Sequence, residues 1–184
     1  MCMASLLWLI MQNIGKQFEA ALKKSVPDYA LLYRLPDPAQ SFGGAERTRF
    51  SRHNPFDFLL WDSIRHVLYA IEAKTVKGKS ISFERSKSDH GEIHHYQIAG
   101  LNEWNKYDGI VSGFVIEFRE LEKTIFIDID SFNSLIDSID KKSFNWQDLQ
   151  DSGLPFFIIP QKKKRTQYTY DIAKLLSEFK NERE

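Results

Sequence analysis

Residues 56–74 read FDFLLWDSIRHVLYAIEAK, two strand-like runs with charged residues set among apolar ones. Phe, Leu, Val, Tyr and Ile dominate 56–61 and 67–74, and the polar DSIRH joining them is short enough for antiparallel pairing. Asp57, Glu72 and Lys74 do not fit that pattern. An ionised carboxylate away from water costs on the order of several kcal/mol unless it is paired or binds a metal. Side chains alternate along a strand, so Glu72 and Lys74 share one face while Ala73 points to the other. With the strands paired, Asp57 at the start of one lies near Glu72 and Lys74 at the end of the other. The two carboxylates are therefore expected to meet at one edge of a sheet.

Close carboxylates repel unless one is protonated or a cation sits between them. A hard divalent ion such as Mg²⁺, with Mn²⁺ as its substitute, takes oxygen ligands and shares its shell with water and phosphate. Lys74 beside it would hold a nucleophile or neutralise charge developing on phosphorus. That chemistry suits phosphodiester hydrolysis. Spacing alone leaves a competing reading open, a structural ion pair near a strand end.

The rest of the chain sets the frame. Its 184 residues, 42% hydrophobic and 14% aromatic, are enough for one globular domain with a sizeable core and exclude intrinsic disorder. Cys2 is the single cysteine, so there is no intrachain disulfide framework and no Cys-rich zinc site, and a reducing cytosol is the expected compartment. The run MCMASLLWLIM is too short to span a bilayer and lacks a basic flank, so we expect no membrane association and read 1–12 as an N-terminal extension of the first helix. Met11 is an alternative start. Charge balances at 25 basic and 25 acidic residues, so no overall positive field marks a nucleic-acid binder. Two local clusters stand out: Arg47, Arg49, Arg52 and His53 in GGAERTRFSRHNP, and Lys162, Lys163, Lys164 and Arg165 near the C-terminus. Each is a solvated loop or a set of phosphate contacts.

Periodicity places a helix over Asn13–Ser25, with Ile14, Phe18, Ala21 and Leu22 in one stripe and Pro27 ending it. Residues 36–55 carry Pro, Gly and charge without periodicity and read as a loop. A helix over 92–105 follows the strand pair, with Ile93, Gln97, Leu101 and Trp104 in a stripe where Gln97 is the odd member. GIVSGFVIEF (109–118) and KTIFIDI (123–129) form a second strand pair, Ser131 caps a short helix to about Ile139, LPFFIIP is one more strand, and Tyr170–Phe179 is a last helix. The fold class is α/β, a mixed β-sheet flanked by helices.

The order of motifs adds a resemblance. Asn54-Pro55-Phe56-Asp57, followed 15 residues after Asp57 by Glu72-Ala73-Lys74, resembles the PD-(D/E)XK nuclease superfamily with its restriction-endonuclease-like core. IGKQFEAALKKS, LYRLPDPAQ, NPFDFLLW, LYAIEAKTVKGKSISF, HHYQIAGLNEW, DGIVSGFVIEF and IFIDIDSF together resemble the RecU-type Holliday junction resolvases, in the same order. The likeness spans roughly 13–180, which we take as the nuclease domain, with 181–184 as a tail. It implies that Asp57 and Glu72 ligate the metal with the Ala73 carbonyl, and that Lys74 is the catalytic lysine. It implies further that Glu19 of the first helix and Gln97 of the helix after the second strand reach the site. Helix-flank and core-amide roles are their respective competing readings. A zinc site from His90, His94 and His95 is disfavoured, since cysteine partners and regular spacing are missing.

RecU-type enzymes insert a long stalk before the catalytic aspartate, and here only residues 36–53 occupy that place. Arg47, Arg49 and Arg52 are the candidate DNA contacts in it. The expected function is a structure-selective, metal-dependent endodeoxyribonuclease, a Holliday junction resolvase in recombination or repair, with a phage-encoded origin in view. Symmetric nicking with one site per subunit implies a homodimer on branched DNA. Another PD-(D/E)XK nuclease, restriction-like or exonucleolytic, and a non-catalytic DNA-binding recombination modulator are the alternatives.

Overall fold

The computed structural model describes residues 3–36, 53–165 and 167–179. In chain order these form helix α1 (Met3–Lys24), strands β1 (Ala30–Arg34), β2 (Phe58–Asp62), β3 (Val67–Val76) and β4 (Ser80–Ser82), and helix α2 (His95–Trp104). Strands β5 (Ile110–Phe118) and β6 (Lys123–Asp128), helix α3 (Ile129–Ser138), strand β7 (Ser143–Asn145) and helix α4 (Trp146–Asp151) follow. Strands β8 (Phe157–Ile159), β9 (Gln161–Lys164) and β10 (Gln167–Tyr170) and helix α5 (Ile172–Glu178) complete the order.

The main sheet runs β1-β2-β3-β5-β6-β8. Its neighbours are antiparallel except β3 and β5, which pair in parallel through the α2 crossover. The expected mixed α/β architecture is thus present. Each face carries its own core. On one face Ala70 and Val76 of β3 pack with Phe114 and Ile116 of β5 under Ile98 and Leu101 of α2 and Phe132 of α3. On the other, Tyr69 and Ile71 of β3 pack with Phe58, Leu60, Val115 and Phe126 against Phe18 and Leu22 of α1 and Leu175 and Leu176 of α5. The helical stripe predicted around Phe18 is what seals this second face.

The backbone helix runs from Met3 to Lys24, so the stretch read as an extension of the first helix is continuous with it. Several other expectations change. Strand β1 was not foreseen; its five residues ALLYR have alternating burial and pair with β2 from Ala30↔Asp62 to Arg34↔Phe58. Asp128, not Ser131, caps α3: its carboxylate accepts the amides of Asp130 and Ser131, and the Ser131 hydroxyl donates back to Asp128 Oδ2 at 2.6 Å. An aspartate at the cap satisfies two orphan amides that a serine three residues later cannot reach. The last helix starts at Ile172 because Asp171 caps it and Tyr170 belongs to β10. Lys162–Lys164 are strand residues as well, held by pairing with β10 although QKKK has no apolar periodicity. Residues 37–52, including Arg47, Arg49 and Arg52, lie outside the described residues.

Candidate active site

Strand β3 carries Ala70, Glu72, Lys74 and Val76 on the face beneath α2, so two charged residues interrupt an apolar row. Asp57 immediately precedes β2, and the register Phe58↔Ile71 places it across from Glu72. The Asp57 amide donates to the Ile71 carbonyl at 3.1 Å, and its Oδ2 accepts the Ala73 amide at 3.0 Å. That clamp fixes Asp57 against the Glu72-Ala73-Lys74 segment. The meeting point is not a sheet edge as expected. β3 is flanked by β2 and β5, so the carboxylates meet within the sheet's breadth, at the entrance to β2.

The electrostatics follow from this placement. Glu72 is 3% exposed. Burial pushes its carboxyl up to about 8; Lys74 pulls in the opposite direction, and the Asp57 carboxyl, within hydrogen-bonding reach, pushes up again. Burial raises Asp57 too, against the Ala73 amide and the charges of Lys74 and Arg34. The Lys74 ammonium lies 3.0 Å from Glu72 Oε1. Although that distance is an ion-pair distance, Lys74 does not offset the burial of Glu72, and desolvation decides the direction.

Gln97 reaches the site from α2. Its amide nitrogen donates to Glu72 Oε1, and its Oε1 accepts the His94 amide at 2.9 Å. Because the second bond fixes which end of the amide is oxygen, the nitrogen must face Glu72. The start of α2 is itself anchored by Glu84, whose carboxylate takes His94 Nδ1 at 2.8 Å and the His95 amide at 2.9 Å. His94 therefore serves the helix terminus and His95 lends its amide to the same carboxylate; both residues are partly buried.

Glu19 lies on α1, the helix of the opposite face, and its observed partner is Arg34 of β1 at 2.6 Å. Arg34 is the link the sequence pattern did not reveal. It bonds Glu19 on one side and its charge lowers the Asp57 carboxyl on the other. Tyr96 was missed as well: burial and then the charges of Glu72, Asp57 and Glu84 raise its phenol, so it lies within electrostatic reach of the acidic site. Neither residue stands out in the sequence, because a partly exposed arginine or tyrosine breaks no packing rule. Lys162, Lys163, Lys164 and Arg165 are exposed on the β9–β10 hairpin, on the α1 side of the sheet. Lys163 pairs there with Glu122 at 3.3 Å.

The donors suit a hard divalent ion. Two carboxyl groups in mutual hydrogen-bond reach, one nearly dry, form an oxygen-only pair without sulfur, and a cation between them removes the repulsion that protonation otherwise relieves. Among the described residues no group of three or more His, Cys, Asp or Glu side chains forms a ready-made cage. An ion held by Asp57 and Glu72 would need further oxygen ligands from backbone, water or phosphate, a donor set that suits Mg²⁺.

No family model matches the chain. The SPbeta prophage-derived uncharacterized protein YotM of Bacillus subtilis (strain 168) is 32% identical to it over 178 residues, spanning 91% of this chain and 87% of that protein. Among solved structures, Hjc, a Holliday junction resolvase from Archaeoglobus fulgidus, matches with a TM-score of 0.44 and 15% identity over 74% of this chain and 92% of that one. No helix among the described residues is long and apolar enough to cross a membrane.

Proposed function

The chain belongs to the same family as the prophage protein YotM, whose name assigns no activity, and from its site chemistry we propose a metal-dependent structure-selective endodeoxyribonuclease. The observation that carries this reading is the convergence of Asp57, Glu72 and Lys74, with Gln97 aimed at Glu72, in a nearly dry place that a folded sheet otherwise fills with apolar side chains. Four-way DNA junctions are the proposed substrate, cut by symmetric nicks from a homodimer in recombination or repair. The ordered motifs support that choice, and the prophage setting of the relative fits a phage-encoded enzyme.

Asp57, Glu72 and the Ala73 carbonyl would hold Mg²⁺, or Mn²⁺ in its place. When bound, the ion supplies Lewis-acid stabilisation of phosphoryl charge and favours deprotonation of water. The chain's own residues do the positioning. The Ala73 amide fixes the carboxylate of Asp57, and Gln97 holds one oxygen of Glu72 so that the other is presented in a set direction. Lys74 brings an ammonium to the place where charge grows as water adds to phosphorus and one ester bond breaks. Glu19 acts through Arg34, balancing a guanidinium that otherwise would neutralise Asp57.

The test is incubation with a mobile four-way junction, a fork and a linear duplex in Mg²⁺. Paired, symmetric nicks confined to the junction are expected. Cleavage of all three alike would point to another nuclease of the superfamily, and cleavage of none to a non-catalytic DNA binder.

A further inference from the structure

Three rings stack on the chain segments that supply Asp57 and Gln97, without any part in the Asp57–Glu72 carboxylate chemistry. Tyr96, one residue after the start of α2, stacks on His94 with centroids 5.4 Å apart and planes at 11°, and on His53 at 5.3 Å and 28°. Each ring keeps open surface: Tyr96 is 40% exposed, the His94 side chain 43%, and His53 is exposed. These rings are held in place. Glu84 fixes His94 through Nδ1, and the Gln97 hydrogen bonds lock the first turn of α2, so Tyr96 stands on a rigid support. His53 comes from the segment that leads through Pro55 to Asp57. The stack thus joins the two chain segments that supply Asp57 and Gln97.

We propose that the His53–Tyr96–His94 stack is a binding subsite for an unpaired nucleobase of the DNA strand whose phosphate enters the Asp57–Glu72 site. Resting on the nuclease reading, this deepens it by naming the form of DNA the site favours. Bases stack on aromatic side chains with little regard to sequence, since every base has a π-face, and a row of stacked rings is extended by one more. A base-paired nucleotide cannot do so without leaving its duplex, whereas bases at a branch point or in a single strand are available. The neighbouring acidic groups disfavour extra phosphate contact at this spot, so the ring face is the attractive element on offer.

The experiment measures binding of a short single-stranded oligonucleotide carrying 2-aminopurine, and of its duplex, with divalent ions removed so that nothing is cut. His53→Ala and Tyr96→Ala should each bind the single strand about tenfold more weakly, with duplex affinity unchanged. His53→Phe, which keeps a ring and drops the imidazole, should bind as the wild type does. 2-Aminopurine fluorescence should be quenched by the wild type and not by His53→Ala. Wild-type single-strand affinity in His53→Ala, whose exposed position leaves the fold undisturbed, would overturn the proposal, as would an equal loss in His53→Phe. Junction cleavage by the wild type in Mg²⁺ tests the nuclease reading separately. Cleavage with unaltered His53 variants sinks the subsite alone; absent cleavage with weakened variants sinks the nuclease reading alone.

Discussion

Glu72 places a carboxyl group where the packing of a sheet leaves almost no water, beside a second carboxyl and one lysine. Its folded-state titration near 8, against 4.5 for the free group, means that between these values the folded chain binds more protons than the unfolded one. Stability therefore falls as pH rises through that window. Asp57, also raised, acts in the same direction. Metal-free wild type should lose on the order of a few kcal/mol between about pH 5 and about pH 9, and Glu72→Gln should flatten that loss. Denaturant titrations in chelator would read it, and equal slopes for the two proteins would contradict the assignment. Added Mg²⁺ should restore wild-type stability most at the alkaline end, where the carboxyls are free of protons. At this scale the sequence was informative about Asp57, Glu72 and Lys74, because charge inside an apolar strand carries a cost that demands a cause. Arg34 and Tyr96 were illegible there, since a partly exposed Arg or Tyr breaks no packing rule until the fold brings it to the site.

Elements position those residues, and α2 does most of it. Gly100 of α2 lies against Pro55, two residues before Asp57, so closely that an added methyl would clash with the proline ring. Gly100→Ala should push α2 away from the Asp57 segment, costing about 1–3 kcal/mol as overpacking does. It should also lower cleavage more than the reduced stability explains, because Gln97 moves with the helix. Thermal melts and rates measured on the same preparation check this, and wild-type activity in a destabilised variant would show that α2 does not set the site. The strands of the central pairs were legible because their apolar runs are bounded by turns. β1 and β9 were not: ALLYR is short and QKKK has no apolar member, so pairing with β2 and β10 makes them strands. The expectation of a sheet-edge site failed for the same reason. β5, distant in sequence, adds to the far side of β3 and converts an apparent edge into the interior of the sheet.

Across the whole molecule, zero net charge means that the proposed DNA binding would depend on where the cations sit. The hairpin run Lys162–Arg165 is exposed on the α1 side, away from Gln97, so alanine there should weaken junction and duplex alike. For each phosphate that a variant no longer neutralises, the salt dependence should flatten by about one unit of slope or slightly less. Arg47, Arg49 and Arg52 fall at 36–53, where the RecU-type resemblance would put a stalk, and on the proposed function alanine at these positions should weaken junctions more than duplex. Affinities across a salt series separate the two, and unchanged binding in the arginine variants would reduce that segment to a solvated loop. The proposed dimer and junction substrate leave little mark on one chain's composition, so they were read from the resemblance and from the symmetry that paired nicks require. The central claim is that the two carboxylates and the lysine of one sheet perform metal-dependent strand cleavage. Its most direct measurement is junction nicking in Mg²⁺ by the wild type, Asp57→Asn, Glu72→Gln and Lys74→Ala, with junction binding recorded for each. We predict that Asp57→Asn and Glu72→Gln bind the junction and cut nothing, while Lys74→Ala cuts slowly; nicking at the wild-type rate by either carboxylate variant would contradict the claim.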